Sequence, residues 1–506
     1  MPIELGIGRL VEPFSGRTWE RAETRRQIAL RVGRFQELGL VPGDRVFLAF
    51  GNCLEFFAEL LAIWKTGGCA IPLDPRLSAF EVGTLAEAAQ ARFSVVEDAT
   101  QAAMVEALEQ SGSRIVPTLE TGTAEGSARG IRPDGDALIL FTSGSTGDPK
   151  GVIHTHRSLG ARWLSLRSHL PATVFARSLC MLPTHFGHGL ICNCLFPWLS
   201  GHDLFITPSF RPDLVTRLGS LIDEHGITFM SSVPPIWKFA LKLAKPPRKG
   251  SLQRVHVGSA PLSAQAWDDV RRWTGTRQVC NAYGITETGS WVAGLENADV
   301  PAEDGLIGNG WGAIVRVLRT NDTSQSPGPE MECAPGESGY VWLNTPALMR
   351  GYFRRDDLTA MAVVDGWFMT GDIGSLDADG RLFLRGRERD EINKGGMKIY
   401  PSDIDAVVER FAAASDSCAF ALDDPIYGQA AGLAVVLDDA SDEAIRGLYH
   451  WLKAHLAEHK MPSRWWAIDA IPRTSRGKIN RDAVKTVCEA RTPLDLPAIL
   501  AKAPPT

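Results

Sequence analysis

The densest run of potentially chemical side chains is Phe141-Thr142-Ser143-Gly144-Ser145-Thr146-Gly147-Asp148-Pro149-Lys150-Gly151. Within positions 142–151 it carries three glycines and four hydroxyl side chains. Glycine lets the backbone turn sharply and approach a ligand closely. Backbone N–H groups and hydroxyls together cradle phosphate oxygens, and a lysine offsets their charge. The spacing is not that of a Walker loop, which needs Gly-x4-Gly-Lys-Ser/Thr. Phosphate binding is favoured here over a plain flexible turn. Four further motifs bear chemistry: Asn281-Ala282-Tyr283-Gly284-Ile285-Thr286-Glu287-Thr288, Gly366-Trp367-Phe368-Met369-Thr370-Gly371-Asp372, Gly386-Arg387-Glu388-Arg389-Asp390 with Lys394-Gly395-Gly396-Met397-Lys398, and Pro472-Arg473-Thr474-Ser475-Arg476-Gly477-Lys478-Ile479-Asn480-Arg481. Together they supply carboxylates, cations and hydroxyls.

The elements that must position these groups read as alternating helices and short apolar strands. Ala137-Leu138-Ile139-Leu140 reads as a buried strand leading into the glycine-rich run. Arg25 to Leu38 has helical spacing and stops at Gly39; Arg45 to Phe50 is a strand, Glu55 to Lys65 a second helix, and Ala70 to Asp74 a returning strand. Further short strands are expected at Arg177 to Leu182, Asp203 to Ile206, Ile227 to Met230 and Arg254 to Val257. This rhythm implies parallel sheets with helices on their faces, and ligands beyond the strands' C-terminal ends. The loops Pro183 to Leu190, Ser231 to Pro235 and Gly258 to Leu262 are therefore expected to line one cleft. After about residue 310 short strands and turns suggest a small β subdomain, with Asn321 to Pro335 an exposed loop. From Pro401 the pattern is α+β, with helices near Asp403 to Phe411 and Glu443 to Glu458 around a strand at Gly432 to Leu437. The expected architecture is α/β: a large N-terminal domain of doubly wound sheets with a small β subdomain (1–388), then a small mobile α+β domain (389–506).

A chain of 506 residues exceeds one hydrophobic core. Its 44% hydrophobic and 22% charged residues are those of an ordinary globular protein. The formal net charge of -6, with both signs well mixed, argues against a nucleic-acid partner. No apolar stretch approaches the ~20 residues of a bilayer span. Met1-Pro2-Ile3-Glu4-Leu5-Gly6 lacks the basic end and apolar run of a signal peptide. The nine scattered cysteines, Cys192 and Cys194 included, read as small buried side chains rather than a metal site. A reducing, cytoplasmic location is expected.

From about Trp19 to Lys485 the five motifs occur in the order of the adenylate-forming superfamily, and the chain resembles it, most of all its stand-alone acyl-CoA synthetases. The resemblance implies a ligase acting in two half-reactions. A carboxylate attacks the α-phosphorus of ATP to give acyl-AMP and pyrophosphate; a thiol then attacks the acyl carbon and expels AMP. It implies Lys478 bridging carboxylate and phosphate, Glu287 as the Mg²⁺ ligand with Thr286 on phosphate, Tyr283 stacked on adenine beside Asn281, Ala282 and Gly284, and Gly258-Ser259-Ala260-Pro261 packing on the adenine face. Asp372 would accept from the ribose hydroxyls and Arg387 would support ribose or phosphate. The loop of Thr142, Ser143, Gly144, Ser145, Thr146, Gly147 and Lys150 would handle the β- and γ-phosphates. Arg389 falls at a hinge about which the C-terminal domain rotates between reactions, after which Gly395 and Gly396 line the channel of a pantetheine arm. The implied acceptor is CoA, with Lys460 and Arg464 near its nucleotide. The alternatives are an enzyme that loads a carrier-protein phosphopantetheine or releases acyl-AMP, and a luciferase-like oxidation of the adenylate.

By the same resemblance the acyl group lies along Pro183-Thr184-His185-Phe186-Gly187-His188-Gly189-Leu190, where the family's aromatic–His order is reversed to His185-Phe186. No Asp or Glu occurs between Pro183 and Gly201 to pair a substrate ammonium, which disfavours α-amino acids. Trp237 and Trp291, beside the candidate cleft loops, point to a bulky apolar, cyclic or aromatic acid.

Overall fold

The computed structural model describes residues 6–98, 100–118, 125–128, 130–143, 149–208, 212–394, 397–474 and 477–501. Its frame is three sheets. In the first, six strands run parallel: Leu10–Val11, Asp203–Ile206, Arg177–Cys180, Phe229–Ser232, Arg254–Gly258 and Val279–Ile285. Their residues are almost all buried, which suits a sheet covered on both faces. The β-rich stretch beyond residue 300 continues this same sheet rather than standing apart. Ser290–Gly294 pairs antiparallel with both Val279–Ile285 and Leu306–Gly310, and Leu306–Gly310 passes the ladder to Leu382–Arg387, Trp367–Leu376, Gly339–Asn344 and Ile314–Leu318. The motif residues Asp372 and Arg387 thereby become cross-strand partners.

The second sheet is parallel through Arg114–Pro117, Phe93–Val96, Arg45–Ala49, Cys69–Leu73 and Asp136–Ser143. Asp136–Ser143 then turns back antiparallel on Pro149–Thr155, so the glycine-rich run joins the two arms of a hairpin. Gly351–Tyr352 closes the edge beyond it. Between the two large sheets lies one continuous apolar core that includes Trp64, Trp198, Trp237, Trp267, Trp291 and Trp311. Burying aromatic rings of this size dominates the stabilising area of such a core.

The third sheet is built from Ile392–Lys394, Met397–Ile399, Ala414–Asp424, Gly428–Leu437 and Arg464–Ala467. Helices Pro401–Glu409 and Asp442–His455 pack on one face around Ile404, Leu433, Leu448 and Trp465. Helix Arg481–Glu489 covers the other through Val484 and Cys488. The expected helices and strands of this region thus all form. Asn321 to Pro335 runs mostly exposed, with a single 3₁₀ turn at Pro329–Met331. No described helix is long and apolar enough to cross a membrane.

Candidate active site

Strand Val279–Ile285 delivers the central group. Asn281 is buried and donates Nδ2 to the Leu306 carbonyl (3.0 Å), which ties the strand to its neighbour. Ala282 and Tyr283 are also buried. Gly284 and Gly258 are glycines for packing: a Cβ would lie 2.2 Å from the Ser290 carbonyl oxygen in the first case and 2.5 Å from that of Ala282 in the second. The Tyr283 hydroxyl donates to Asp372 Oδ2. Asp372 Oδ1 meets Arg387 Nε at 2.6 Å, and Arg387 also donates to the Thr370 carbonyl at 3.0 Å. Burial and the Asp372 charge push the Tyr283 phenol well up, so it stays a donor. A carboxylate has about four acceptor positions, so Asp372 keeps capacity for ligand hydroxyls beyond these two partners.

The strand ends in a 3₁₀ turn, Thr286–Thr288, that presents Glu287. His154 Nε2 donates to the Thr286 carbonyl at 2.8 Å, and Met349 N to that of Glu287 at 2.7 Å, which fixes the turn. Burial pushes the His154 imidazole down to about 4, which leaves it neutral. Tyr352, from the edge strand beside the glycine-rich hairpin, donates to Glu287 Oε1 at 2.8 Å. Lys150 Nζ lies 5.8 Å from the Tyr352 ring centre, so the hairpin lysine and Glu287 flank one tyrosine. The described residues hold no cluster of three or more side chains that could bind a metal ion. A single half-buried carboxylate fits magnesium, which binds through one or two carboxylates with the rest of its shell from phosphates and water. Thr142 lies opposite Lys150 in the hairpin ladder. Gly144, Ser145, Thr146 and Gly147 lie outside the described residues, as does the side chain of Ser143.

On the other side of the cleft, a π-helix spans His188–Leu195, an uncommon geometry that recurs at functional sites. His188, in its first turn, contacts Ser231 Oγ through Nε2 (2.6 Å) and Ser259 Oγ through Nδ1 (2.8 Å). Burial, then the charge of Lys478, push the His188 imidazole down to about 3. Ser259 has φ +66°, a left-handed conformation that costs an L-residue roughly 1–2 kcal/mol. Its neighbour Ala260 is half-buried. His185 Nε2 lies 3.3 Å from Asp74 Oδ2, and Phe186 is half-buried one residue on.

The two tryptophans do not behave as pocket walls. Trp237 is 1% exposed, donates to Ser232 Oγ (2.8 Å) and stands edge-on to Trp273 in the core. Its helix, Pro234–Leu243, turns Ile236, Trp237 and Ala240 inward. Trp291 is also buried, with its ring centre 5.7 Å from that of His188 and 4.4 Å from that of His256. It backs the site rather than opening onto it. The case for a bulky acid therefore loses Trp237, because helical periodicity aims that side chain into the core.

Lys478 is exposed on a tight loop. Thr474 N donates to the Lys478 carbonyl (2.8 Å), and Gly477, at φ +76°, makes the turn. Arg473 donates to the Gly477 carbonyl at 3.1 Å and grips Asp416 at 2.9 and 2.6 Å. Asp416 in turn receives Lys238 Nζ, from the helix Pro234–Leu243, at 2.9 Å. A Cβ on Gly477 would lie 3.8 Å from Pro235 Cγ. The lysine loop is thus docked on the helix Pro234–Leu243, which directly follows the parallel strand Phe229–Ser232. Arg389 is exposed in a 3₁₀ turn, Glu388–Asp390, with Asp390 3.5 Å from its Nε. Gly395 and Gly396 lie outside the described residues. Lys460 is held by Asp403 at 2.6 Å. Tyr352, Lys238 and Asp416 carry no motif signature, and no local pattern marks them, whereas Ser231, from one of the three loops expected to line one cleft, meets His188 and, through it, Ser259 from the other two.

Comparison with known proteins bears on this arrangement. The AMP-binding enzyme family profile matches residues 12–353, and the AMP-binding enzyme C-terminal domain profile matches residues 403–478. The chain is 27% identical to the long-chain-fatty-acid–CoA ligase FadD13 of Mycobacterium tuberculosis over 90% of each chain. It is 28% identical to a feruloyl-CoA synthase of an Amycolatopsis species over 92% of this chain and 93% of that one. Among solved structures, ATP-bound MatB from Rhodopseudomonas palustris superposes with a TM-score of 0.83 at 23% identity over 96% of each chain. The o-succinylbenzoate CoA synthetase MenE of Bacillus subtilis, in complex with ATP and magnesium ion, gives 0.83 at 24% identity over 95% of this chain and 97% of that one. With the first profile alone covering about two thirds of its length, this chain belongs to the AMP-binding enzyme family.

Proposed function

We propose that this protein is an AMP-forming acid–thiol ligase that activates a carboxylic acid to acyl-AMP and passes the acyl group to CoA. Curated relatives spanning about nine tenths of the chain are CoA ligases of fatty, feruloyl and succinylbenzoate acids, and that carries the CoA assignment over a carrier-protein acceptor or a free adenylate. The observation that supports the chemistry is the convergence on one cleft of Asp372–Arg387–Tyr283, Glu287–Tyr352–Lys150, and the docked Lys478 loop.

Asp372 and Arg387 would hold the ribose side of ATP, and Lys150 its outer phosphates. Glu287 would hold magnesium, which when bound neutralises phosphate charge. Lys478 would bring an ammonium to the point where carboxylate and α-phosphate meet, two anions that repel until a cation lies between them. Tyr283 would meet the adenine, and Gly395 and Gly396 the pantetheine arm. His185, Phe186 and His188 would border the acyl group, a fatty, cyclic or aromatic acid. The chain would act as two units meeting near residues 388 and 389, with Arg389 at the junction. Two findings favour this: the third sheet has its own cores, and the two halves meet through ion pairs and hydrogen bonds at their surfaces.

The test is ATP- and Mg²⁺-dependent pyrophosphate release across fatty, cyclic and aromatic acids, with and without CoA. Release with one acid class, and thioester only with CoA, supports the proposal. Acyl-AMP without CoA thioester points to another acceptor. No release with any acid refutes it.

A further inference from the structure

His188 joins two serines that the sequence places far apart: Ser231 at the end of one parallel strand, and Ser259 just past the end of the next. The hydrogens in this chain can be counted. His188 is buried and held neutral, so its ring carries one N–H. The two hydroxyls carry one hydrogen each. Two hydrogen bonds use two of these three hydrogens, so one hydroxyl hydrogen is left over. Neither serine has another side-chain hydrogen bond among the described residues.

The two ends are not equivalent. The Ser231 end is wholly buried, and an unused donor there would be desolvated with nothing to accept it. The Ser259 end is half-buried and lies beyond a parallel strand's C-terminal end, where ligands of such sheets bind. The low-energy order is therefore Ser231 O–H to His188 Nε2, His188 Nδ1–H to Ser259 Oγ, and Ser259 O–H outward. Ser259 also holds a left-handed backbone that suits glycine, and strain of this kind is retained where a side chain has a task. The Lys478 loop comes to the same corner, because Gly477 packs on Pro235, at the start of the helix that directly follows the Ser231 strand.

We infer that the Ser259 hydroxyl, oriented by His188 and Ser231, donates a hydrogen bond to the acid's carboxylate beside Lys478 as it reacts. Ser259 is then a catalytic residue, and His188 and Ser231 are positioning residues. The inference rests on the acid-activating function proposed above. It adds to that reading a neutral donor which, unlike a second cation, stays on the oxygen after the carboxylate charge has been lost to the adenylate.

Ser259→Gly separates this role from a structural one, because glycine relieves the backbone while removing the hydroxyl. Expected is a thermal midpoint that holds or rises, and acid-dependent ATP–pyrophosphate exchange whose kcat at saturating ATP is roughly 10²–10³-fold lower, the size of losing one oriented donor. Ser231→Ala should lower kcat less, by about threefold to tenfold, with the parent's ATP Kd. Exchange within twofold of the parent in Ser259→Gly overturns the inference. ¹⁵N-histidine NMR of the intact protein, with His188 assigned from a His188→Gln sample, tests the relay independently of activity. The Nδ1–H tautomer is expected, and Nε2–H overturns the inference. Absence of exchange in the parent with every acid would instead defeat the ligase reading, while the tautomer still decides the relay.

Discussion

Lys238 lies on the helix Pro234–Leu243 beside the first sheet, yet its ammonium reaches Asp416 in the third sheet at 2.9 Å. Asp416 also takes Arg473, and Arg473 holds the carbonyl of Gly477, next to Lys478. Burial works against the Asp416 charge, but Lys238 and Arg473 outweigh it and hold the carboxyl below its usual range. Lys238→Met keeps the aliphatic stem and removes the ammonium. The side chains are 36% and 20% exposed, between a surface pair worth ~0.2–1 kcal/mol and a buried charged hydrogen bond worth ~1.5–3, so about 1 kcal/mol is expected. That is a factor of about five in the docking of the lysine loop. Where docked and undocked arrangements have comparable populations, as two half-reactions sharing one site would require, the docked fraction falls from about one half to about one sixth. Acid-dependent pyrophosphate exchange should fall about threefold. Thioester formation from supplied acyl-AMP should stay within twofold, and the melting curve should not move. Lys238→Glu, which sets two carboxylates together, should lose more. The reasoning is refuted if exchange is unchanged in both variants, or if both half-reactions slow equally.

Lys478→Ala should cut adenylation by roughly 10²–10³-fold, the size of losing one charge-stabilising group, and leave thioester formation from supplied acyl-AMP largely intact; equal loss in both assays would count against its role. Tyr283→Phe should weaken ATP binding by about tenfold, since Asp372 loses one charge-assisted partner of ~1.5 kcal/mol, and calorimetric titration of ATP would show this. Acid should destabilise the fold. His154 and His156 are pushed down to about 4 and His188 to about 3, each chiefly by burial. A histidine with a lowered folded value gives its full stability above the unfolded value near 6.5, and loses it as pH falls below. At pH 5.5 each contributes roughly 1.4 kcal/mol less, or about 4 kcal/mol for the three. Denaturant titrations at pH 7.5 and 5.5 would measure it, and equal midpoints would contradict neutral, buried imidazoles.

The motifs that mark the candidate site are local, and so can be picked out in one dimension. A glycine–hydroxyl run ending in a lysine, a carboxylate after Thr370-Gly371, a glutamate after Tyr283-Gly284 and a lysine after Gly477 each need only neighbours to be recognised. The parallel sheets were legible too, because strands buried on both faces must be continuously apolar. Trp237 was misplaced although the information was present: Ile236, Trp237 and Ala240 share the buried side of one helix, while Phe239, Leu241 and Leu243 are exposed. Helical spacing outweighs nearness to a cleft loop.

The strand-end rule brought the loops of His188, Ser231 and Ser259 together in sequence, but only tertiary structure decided which atoms pair there. Tertiary structure alone brought Tyr352 to Glu287 across 65 residues and Lys238 to Asp416 across 178. A serine or lysine has the same local signature whether it faces water or a partner, so no spacing rule marks such pairs. Their identity follows from strand order and register, from Asp372 standing opposite Arg387, and from one loop's docking on another sheet's helix. Residue types set what chemistry is available in this protein. The fold, by burying His188 between Ser231 and Ser259, pushed its imidazole down to about 3 and so set how those types can pair.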